Sequence, residues 1–269
     1  MTQDEWVRRG SSFGAVASVY ADLRPGYPDE AVRWALAPVA ADVAGLRVVD
    51  LGAGTGILTE LLIRLGTDVT AVEPDAEMRA EFARRLPSVR LLTGSAEDIP
   101  LPDGSADAVL CGQAMHWFTM DRALPEIARV LRPGGVLAGL WNNDDDRVEW
   151  VAGLQTAAEG ATSPALSIRR AQAASLQAMD FEPRSFLAAE RAEFANAQRH
   201  TADSLVATLA THSRLLVMDP PDRDRVLARV GDYLRTRPET SGGEFTVPLV
   251  TLVLRTTRVE ADADAGGER

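Results

Sequence analysis

The sequence predicts an α/β fold with a doubly wound, mostly parallel sheet, and two observations support this prediction. Between residues 47 and 141, strand-like runs alternate with helical patterns in units of roughly 20–25 residues, which is typical of successive βα units. Near the start of that stretch, an apolar run ends in Asp50 and leads through three alternate glycines into a helical pattern at Ile57. A strand, a tight glycine turn and a helix together form the ligand-binding edge of such a sheet.

Local patterns define the alternating elements. The apolar residues between Ile57 and Leu65 form one stripe, so that helix should pack against the sheet. Two helices are expected upstream, one spanning Phe13 to Tyr20 and one from Asp29, which can cap it, to Ala37. Strands are predicted at Arg47–Leu51, Asp68–Val72, Val89–Thr93, Ala106–Cys111 and Val136–Trp141. Helices are predicted at Ile57–Leu65, Ala76–Leu86 and Asp121–Leu131, the last begun by Asp121 and ended by Pro133-Gly134-Gly135.

The second half of the chain interrupts this rhythm. Residues from Arg147 to about Met179 are Ala-rich and helical in pattern, at the place where a lid over the sheet edge would lie. A weak strand pattern follows at Arg191–Arg199. Helical patterns come next, at Thr201–Thr211 and Pro221–Arg235, and a strong strand pattern lies at Phe245–Arg258. We therefore expect N-terminal helices that cover the site in residues 1–40 and a ligand-binding core in residues 41–146. A helical lid and substrate region should follow in residues 147–240, with a strand near 190–199. The last strand is expected in residues 241–258 and a disordered tail in residues 259–269.

Composition excludes several classes of function. The formal net charge is −11, which disfavours a nucleic-acid backbone or an anionic membrane surface as partner. All 28 basic residues are arginine, so lysine chemistry is excluded. Cys111 is the single cysteine, which excludes an internal disulfide and a cysteine-rich metal site. Without an apolar leader or an apolar run of membrane-spanning length, the protein is expected to be soluble and cytoplasmic.

The glycine loop predicts a pocket for a nucleotide-type ligand. Gly52, Gly54 and Gly56 would let the backbone approach the ligand, and Glu73 follows Gly54 by 19 residues, where an acid can accept hydrogen bonds from ribose hydroxyls. A dinucleotide fold is one alternative, but it requires the spacing Gly-x-Gly-x-x-Gly. The alternate spacing found here, together with Asp50 just before the loop, favours a ligand that carries a cationic amine.

Four ordered motifs extend this interpretation over roughly residues 10 to 145. They are Val-Val-Asp-Leu-Gly-Ala-Gly-Thr-Gly at 48–56, Glu73-Pro74, Gly94-Ser95-Ala96-Glu97, and Val130-Leu131-Arg132-Pro133-Gly134-Gly135. With them the chain resembles the class I S-adenosylmethionine-dependent methyltransferases. The segment from Tyr20 to Pro28 and the run Gln113-Ala-Met-His-Trp-Phe118 are similar to the type 11 branch that includes trans-aconitate methyltransferase-like enzymes. The resemblance implies a Rossmann-like sheet of seven strands whose last strand, Phe245–Arg258, is antiparallel.

The resemblance also implies roles for individual residues. The loop of Gly52, Ala53, Gly54 and Gly56 would contact S-adenosyl-L-methionine through its backbone, and Asp50 would organise the loop and the ammonium group. Glu73, followed by Pro74, would accept from the ribose hydroxyls. Ala96 would meet the adenine edge through its amide, and Gln113 would contact the methionine part. Ser95 stands where relatives often carry Asp, so that Glu97 or Asp98 would replace that contact.

Other candidate residues keep two interpretations. Arg24 is either a surface arginine at a turn or a bidentate clamp for a carboxylate of the cofactor or of an acidic substrate, and Tyr20 either packs in the core or lines the pocket. His116 is either a packed histidine or the catalytic base, while Trp117, Phe118 and Trp141 are either core residues or an apolar substrate wall. The acidic run at residues 144–146 is expected to be solvated, with no metal bound.

The predicted reaction is an in-line displacement in which an oxygen, nitrogen or carbon atom of a small-molecule acceptor takes the methyl group. We expect O-methylation of a carboxylate, which needs no base, or of a hydroxyl, which would benefit from His116. The alternatives are a methyltransferase acting on RNA or protein, a non-catalytic S-adenosylmethionine-binding protein and an NAD-dependent oxidoreductase.

Overall fold

A computed structural model describes residues 24–159, 185–211, 215 and 218–259, and every structural statement below refers to these residues. The helix predicted over Phe13 to Tyr20, the greater part of the Ala-rich stretch after Glu159, and the tail after Glu260 lie outside the described residues.

The described chain forms a seven-stranded mixed sheet in the order β3-β2-β1-β4-β5-β7-β6. Strand β7 runs antiparallel to its neighbours β5 and β6, whereas β1 to β5 are joined by parallel pairings. This arrangement confirms the predicted doubly wound α/β sheet with an antiparallel last strand. The strands are β1 (Arg47–Leu51), β2 (Asp68–Val72), β3 (Arg90–Leu92), β4 (Ala106–Gly112), β5 (Leu131–Asp144), β6 (Glu190–His200) and β7 (Phe245–Thr257).

The helices connect these strands and cover the two faces of the sheet. They are α1 (Asp29–Leu36), α2 (Ile57–Arg64), α3 (Ala76–Arg85), α4 (Met120–Val130), α5 (Glu149–Glu159), α6 (Ala202–Ala210) and α7 (Pro220–Thr236). One short 3₁₀ turn, Met115–Trp117, precedes α4. Asp75 caps α3 by accepting from two backbone amides, and Thr201 forms a capping box with Ser204 at the start of α6.

Several predicted boundaries differ from the structure, most of all those of the fifth strand, which runs over Leu131–Asp144 rather than Val136–Trp141. Asp29 does not cap α1, because Pro28 is the N-cap residue and Asp29 is already helical. Helix α4 begins at Met120 rather than Asp121. The chain leaves α4 before the Pro133-Gly134-Gly135 turn, since Leu131 already pairs with Ala106 as the first residue of β5. The longer β5 follows from its pairing with β4 at Leu131 and with β7 at Asp144, which the local sequence does not show.

Strands β1, β2, β4, β5 and β7 are largely buried on both faces by two layers of helices, whereas the edge strand β6 is exposed or half-buried over most of its length. Alternate residues of the same strand point to opposite layers: Val49 packs with Leu124 and Ile127 of α4, whereas Val48 packs with α1 and α2. A further apolar cluster, which includes Val151 and Leu234, joins α5, α6, α7 and the start of β7. Within the described chain, no helix has the length and hydropathy needed to cross a membrane.

Candidate functional site

A cavity of about 280 Å³ opens at the carboxyl edge of the sheet, where β1, β2 and β4 end. Ligands bind at this edge in doubly wound folds. Most of the predicted site residues meet there. The lining contains Arg24, Asp50, Gly52, Ala53, Gly54, Glu73, Pro74, Ser95, Ala96, Glu97, Gln113, Trp117 and Phe118. Sequence reasoning missed Pro25, Tyr27, Thr55, Ile57, Leu58, Asp75, Met78, Gly112, Ala114 and Asn142.

The glycine loop between β1 and α2 forms the floor of this cavity. The amides of Gly52 and Ala53 both donate to the carbonyl of Val72, at 2.8 and 3.2 Å, and so hold the loop against the end of β2. Gly54 has φ +57°, and a Cβ built there would meet no atom within 4 Å. A side chain at this position would therefore project into open space beside the cavity that it lines.

Gly56 has a different role from the one predicted. It has φ +92° and is absent from the lining, and a Cβ on it would lie 2.6 Å from Cδ1 of Leu86 and 3.0 Å from the ring of Phe82. The third glycine thus lets the start of α2 approach the end of α3. Its position in the motif gave no sign of this, because Leu86 lies 30 residues further along the chain.

Asp50 is buried at the end of β1, where its side chain lines the cavity. Its Oδ2 accepts a hydrogen bond of 2.6 Å from the hydroxyl of Thr59, whereas Oδ1 is buried without a partner in the described structure. Burial raises the pKa of Asp50 from 3.8 to about 7, assisted by the nearby charge of Glu73. The site therefore contains a buried carboxylate oxygen that a cationic ligand group would satisfy.

Glu73 ties the end of β2 to the glycine loop. Its Oε2 accepts from the amide of Gly54 at 2.8 Å, and Oε1 accepts from the amide of Asp75 at 2.9 Å. Burial raises the pKa of Glu73, while these two hydrogen bonds act in the opposite direction. Each carboxylate oxygen keeps a further lone pair for a ligand hydroxyl, so Glu73 can hold the loop and accept from ribose together.

The segment after β3 supplies another wall. Ser95 and Asp98 exchange backbone hydrogen bonds of 3.2 and 3.3 Å, which folds the segment into a tight turn around Ala96. Glu97 lines the cavity, and its Oε1 accepts from the amide of Thr119 at 2.7 Å, so its side chain also fixes the residue before α4. Asp98, the second predicted substitute for the Asp of relatives, does not line the cavity.

Gln113 follows β4 with a strained backbone, since its φ of 56° is the one positive value among the described non-glycine residues. Its amide donates to Leu140 at 2.9 Å, and its side-chain Nε2 donates to the carbonyl of Asn142 at 3.0 Å. Such conformations persist where the surrounding structure holds them, often at ligand sites. The neighbouring Gly112 is required because a Cβ there would lie 2.7 Å from the hydroxyl of Tyr27.

Of the four residues predicted as catalytic base and substrate wall, two line the cavity and two do not. Trp117 and Phe118 line the cavity, whereas His116 and Trp141 do not. Trp141 is fully buried, and its Nε1 donates to Nδ1 of His116 at 3.3 Å. Burial and then the nearby charge of Arg24 lower the pKa of His116 to about 4. The imidazole is therefore neutral at physiological pH with one nitrogen engaged, and this placement does not support the predicted role of His116 as the base.

Arg24 and Tyr27 close the cavity from the N-terminal side, together with Pro25. The guanidinium of Arg24 donates to the carbonyl of Thr211 over 3.5 Å. Tyr20, predicted to share this wall, lies outside the described residues. Asn142 could have been found from the sequence, since it directly follows the predicted fifth strand and strand ends line such pockets.

The comparison with known proteins agrees with this geometry. Residues 49–139 match the family model described as a methyltransferase domain. An uncharacterised methyltransferase of Mycobacterium tuberculosis H37Rv is 38% identical over 255 residues, which cover 91% of this chain and 95% of that protein. Another from Schizosaccharomyces pombe is 30% identical over 85% of this chain and 89% of its own length. A solved structure from Anaeromyxobacter dehalogenans, provisionally named a type II methyltransferase, has a TM-score of 0.60 at 25% identity, covering 88% and 97% of the two chains.

The chain therefore belongs to the class I methyltransferases, the class that its sheet and its glycine loop define. S-adenosyl-L-methionine is the methyl donor of this enzyme. The two alternatives from the sequence, an NAD-dependent oxidoreductase and a non-catalytic binding protein, are therefore rejected. The residues present fit the donor: the buried Asp50 lacks a partner at Oδ1, and the space beside Gly54 is open. Among the described residues, no cluster of His, Cys, Asp or Glu could hold a metal ion.

Proposed function

We propose that the enzyme methylates an oxygen of a small-molecule acceptor, and that this acceptor is a carboxylic acid. The observation that supports the proposal is the distribution of charged side chains in the cavity lining. Four acids lie in the lining (Asp50, Glu73, Asp75 and Glu97), and Arg24 is its one basic side chain within the described structure. An arginine fork is suited to bidentate binding of a carboxylate.

Three of the four acids of the lining are already engaged in holding the backbone. Glu73 accepts from two amides, Asp75 accepts from the amides of Glu77 and Met78, and Glu97 accepts from Thr119. None of these carboxylates is therefore well placed to remove a proton from an acceptor. A carboxylate acceptor needs no base, because it is already ionised at neutral pH.

The apolar part of the lining supports an acceptor with a small apolar body. Trp117, Phe118 and Tyr27 contribute aromatic surface, and a cavity of this kind binds ligands through such walls and a few polar groups. The resemblance to trans-aconitate methyltransferase-like enzymes points in the same direction, since the compound in that name is a carboxylic acid.

The chain contributes to the reaction mainly by positioning and by excluding water. Bound S-adenosyl-L-methionine supplies a methyl group that is already activated on a sulfonium. Glu73 and the loop at Gly54 would fix the nucleoside, Asp50 would hold the ammonium, and Arg24 would orient the acceptor carboxylate. Orientation of this kind contributes roughly 7–11 kcal/mol in well-aligned reactions, and a carboxylate acceptor needs no dedicated base because it is already ionised.

A hydroxyl acceptor is the second candidate. It would require a general base, and His116 does not supply one: its Nδ1 accepts from Nε1 of Trp141, so the other ring nitrogen of the neutral imidazole carries the proton, and the residue lies outside the cavity lining. The two candidates differ in their dependence on charge, because only the carboxylate requires Arg24.

The test is a screen of carboxylic acids, phenols and amines that measures release of S-adenosylhomocysteine. We expect turnover with carboxylic acids, and we expect Arg24→Gln to raise KM for them at least about tenfold, the usual effect of losing a charged hydrogen-bond donor. Arg64→Gln is the matched control, because Arg64 is an exposed arginine paired with Asp29 on the surface. Turnover confined to phenols, or an unchanged KM in Arg24→Gln, would refute the carboxylate proposal.

A further inference from the structure

The side chain of Asn142 is fully hydrogen-bonded although it lines the cavity. Its Nδ2 donates to the carbonyls of Pro25 at 3.1 Å and Gly26 at 3.0 Å, and its Oδ1 accepts from Thr251 at 2.6 Å and from Asn196 at 3.1 Å. An asparagine has two donors and an acceptor oxygen with two lone pairs, so every site on this amide is in use. The residue thus joins β5 to the N-terminal segment and to two other strands.

Asn196, on the edge strand β6, reinforces the same contact from outside the cavity. Its Nδ2 lies 2.9 Å from the carbonyl of Gly26 and 3.2 Å from the hydroxyl of Thr251, in addition to its contact with Asn142. The carbonyl of Gly26 therefore receives two amide donors, from residues 116 and 170 positions away in the chain. Asn196 does not line the cavity, so it has no direct contact with a ligand there.

We propose that Asn142 and Asn196 form an amide clasp that holds residues 24–28 closed over the cavity, and that Asn196 is a positioning residue for ligand retention. The inference rests on the assignment of the cavity as the S-adenosyl-L-methionine site, and it does not depend on the class of acceptor. The segment that the clasp holds contributes Arg24, Pro25 and Tyr27 to the lining. Its position therefore decides whether that wall of the cavity exists.

Amide side chains suit this task because the segment offers acceptors. Pro25 and Pro28 have no N–H group, and the clasp reaches the segment through carbonyl oxygens, which need donors. A carboxylate would offer none, and a hydroxyl would offer one. The two prolines also restrict the residues before them, Arg24 and Tyr27, to extended conformations. The segment is accordingly stiff, and loss of its tether is expected to move the wall as a unit.

The network also contains a part that does not contact the segment. Thr251 donates to Oδ1 of Asn142 from within β7 and is completely buried. Removing its hydroxyl breaks its hydrogen bonds to Asn142 and Asn196 but leaves the donors to Pro25 and Gly26 in place. Thr251→Val is therefore the control for a purely structural role of the network.

The first measurement is hydrogen–deuterium exchange of the ligand-free protein, read at the amides of Ala31 and Val32, which donate to the Pro28 carbonyl of the segment at 3.1 and 3.4 Å. In Asn196→Ala we expect exchange at these amides to become about tenfold faster, the factor that corresponds to one net hydrogen bond, while the amides of β1 and β4 keep their wild-type rates. Asn196→Asp, which has the same shape but places a carboxylate against the Gly26 carbonyl, should accelerate exchange further. Unchanged exchange at Ala31 and Val32 in both variants would overturn the clasp.

The second measurement is the dissociation rate of S-adenosylhomocysteine, followed by stopped-flow fluorescence with Trp117 as a reporter in the lining. We expect dissociation about tenfold faster in Asn196→Ala and faster still in Asn196→Asp, and a rate within about twofold of wild type in the less stable Thr251→Val. If Thr251→Val accelerates dissociation as much as Asn196→Ala does, the network is structural and the proposal fails. Failure of the acceptor screen would leave both measurements unaffected.

Discussion

Replacing Asp50 by Asn should make the ligand-free enzyme more stable at pH 8 while weakening its binding of the donor. The pKa of this carboxyl is raised from 3.8 to about 7 by burial. Between these two values the folded chain binds more protons than the unfolded chain, so stability falls as the pH rises. Because one pKa unit corresponds to about 1.4 kcal/mol, the raised pKa lowers the free energy of unfolding by about 4 kcal/mol above pH 7 and by about 2 kcal/mol at pH 5.

Thermal or urea unfolding of wild type and Asp50→Asn from pH 5 to pH 8 measures this directly. The variant should be more stable throughout, with a difference that grows with pH and reaches on the order of 5–10 °C in the unfolding midpoint at pH 8. Titration calorimetry should show weaker binding of S-adenosylhomocysteine by the variant, because the ammonium loses its partner. In the wild type the affinity should rise about tenfold from pH 6 to pH 8, as Asp50 ionises. A difference in stability that stays constant or shrinks with pH would refute this reasoning.

Asp107 provides a control in which the pH dependence of stability has the opposite sign. Its carboxylate accepts from the amide, Nε and Nη2 of Arg47 and from Nε of Arg132, and these contacts hold the pKa of Asp107 well below its usual range. A lowered folded pKa gives stability that is present above the unfolded pKa and is lost as the pH falls. Asp107→Asn should therefore destabilise the protein at neutral pH, by an amount that shrinks on acidification.

Three further predictions follow from the site. Glu73→Gln replaces one of the two side-chain oxygens that accept from backbone amides. Titration calorimetry should show binding of S-adenosylhomocysteine weakened at least about tenfold. Equal affinity would show that the carboxylate does not contact the ligand. Gly54→Asn should lower binding more than thermal stability, because asparagine tolerates the left-handed φ of +57° and its side chain meets open space beside the cavity, and Gly56→Ala should do the reverse, because a Cβ there meets packed side chains. His116→Gln should leave the pH profile of kcat between pH 5 and 8 unchanged, since the pKa of the imidazole is about 4; a loss of a hundredfold would restore the histidine as base.

The sequence could predict the features that depend on short stretches of chain. The ends of β1 and β2 agree with the predicted residues, because alternating apolar patterns and the glycine turn act within a few residues. The same locality made Asp50, Gly54 and Glu73 identifiable, since in a βαβ unit the fold itself brings the end of the second strand beside the glycine loop.

The tertiary structure decided what depends on residues far apart in the chain. Gly56 packs against Leu86 because α2 meets α3, and His116 lies outside the cavity lining and accepts a hydrogen bond from Trp141. The clasp of Asn142 and Asn196 joins strands that become neighbours of the N-terminal segment only in the folded sheet. Sequence patterns report which face a side chain takes on its own element, whereas its partner across the fold is set by the packing of all the elements together.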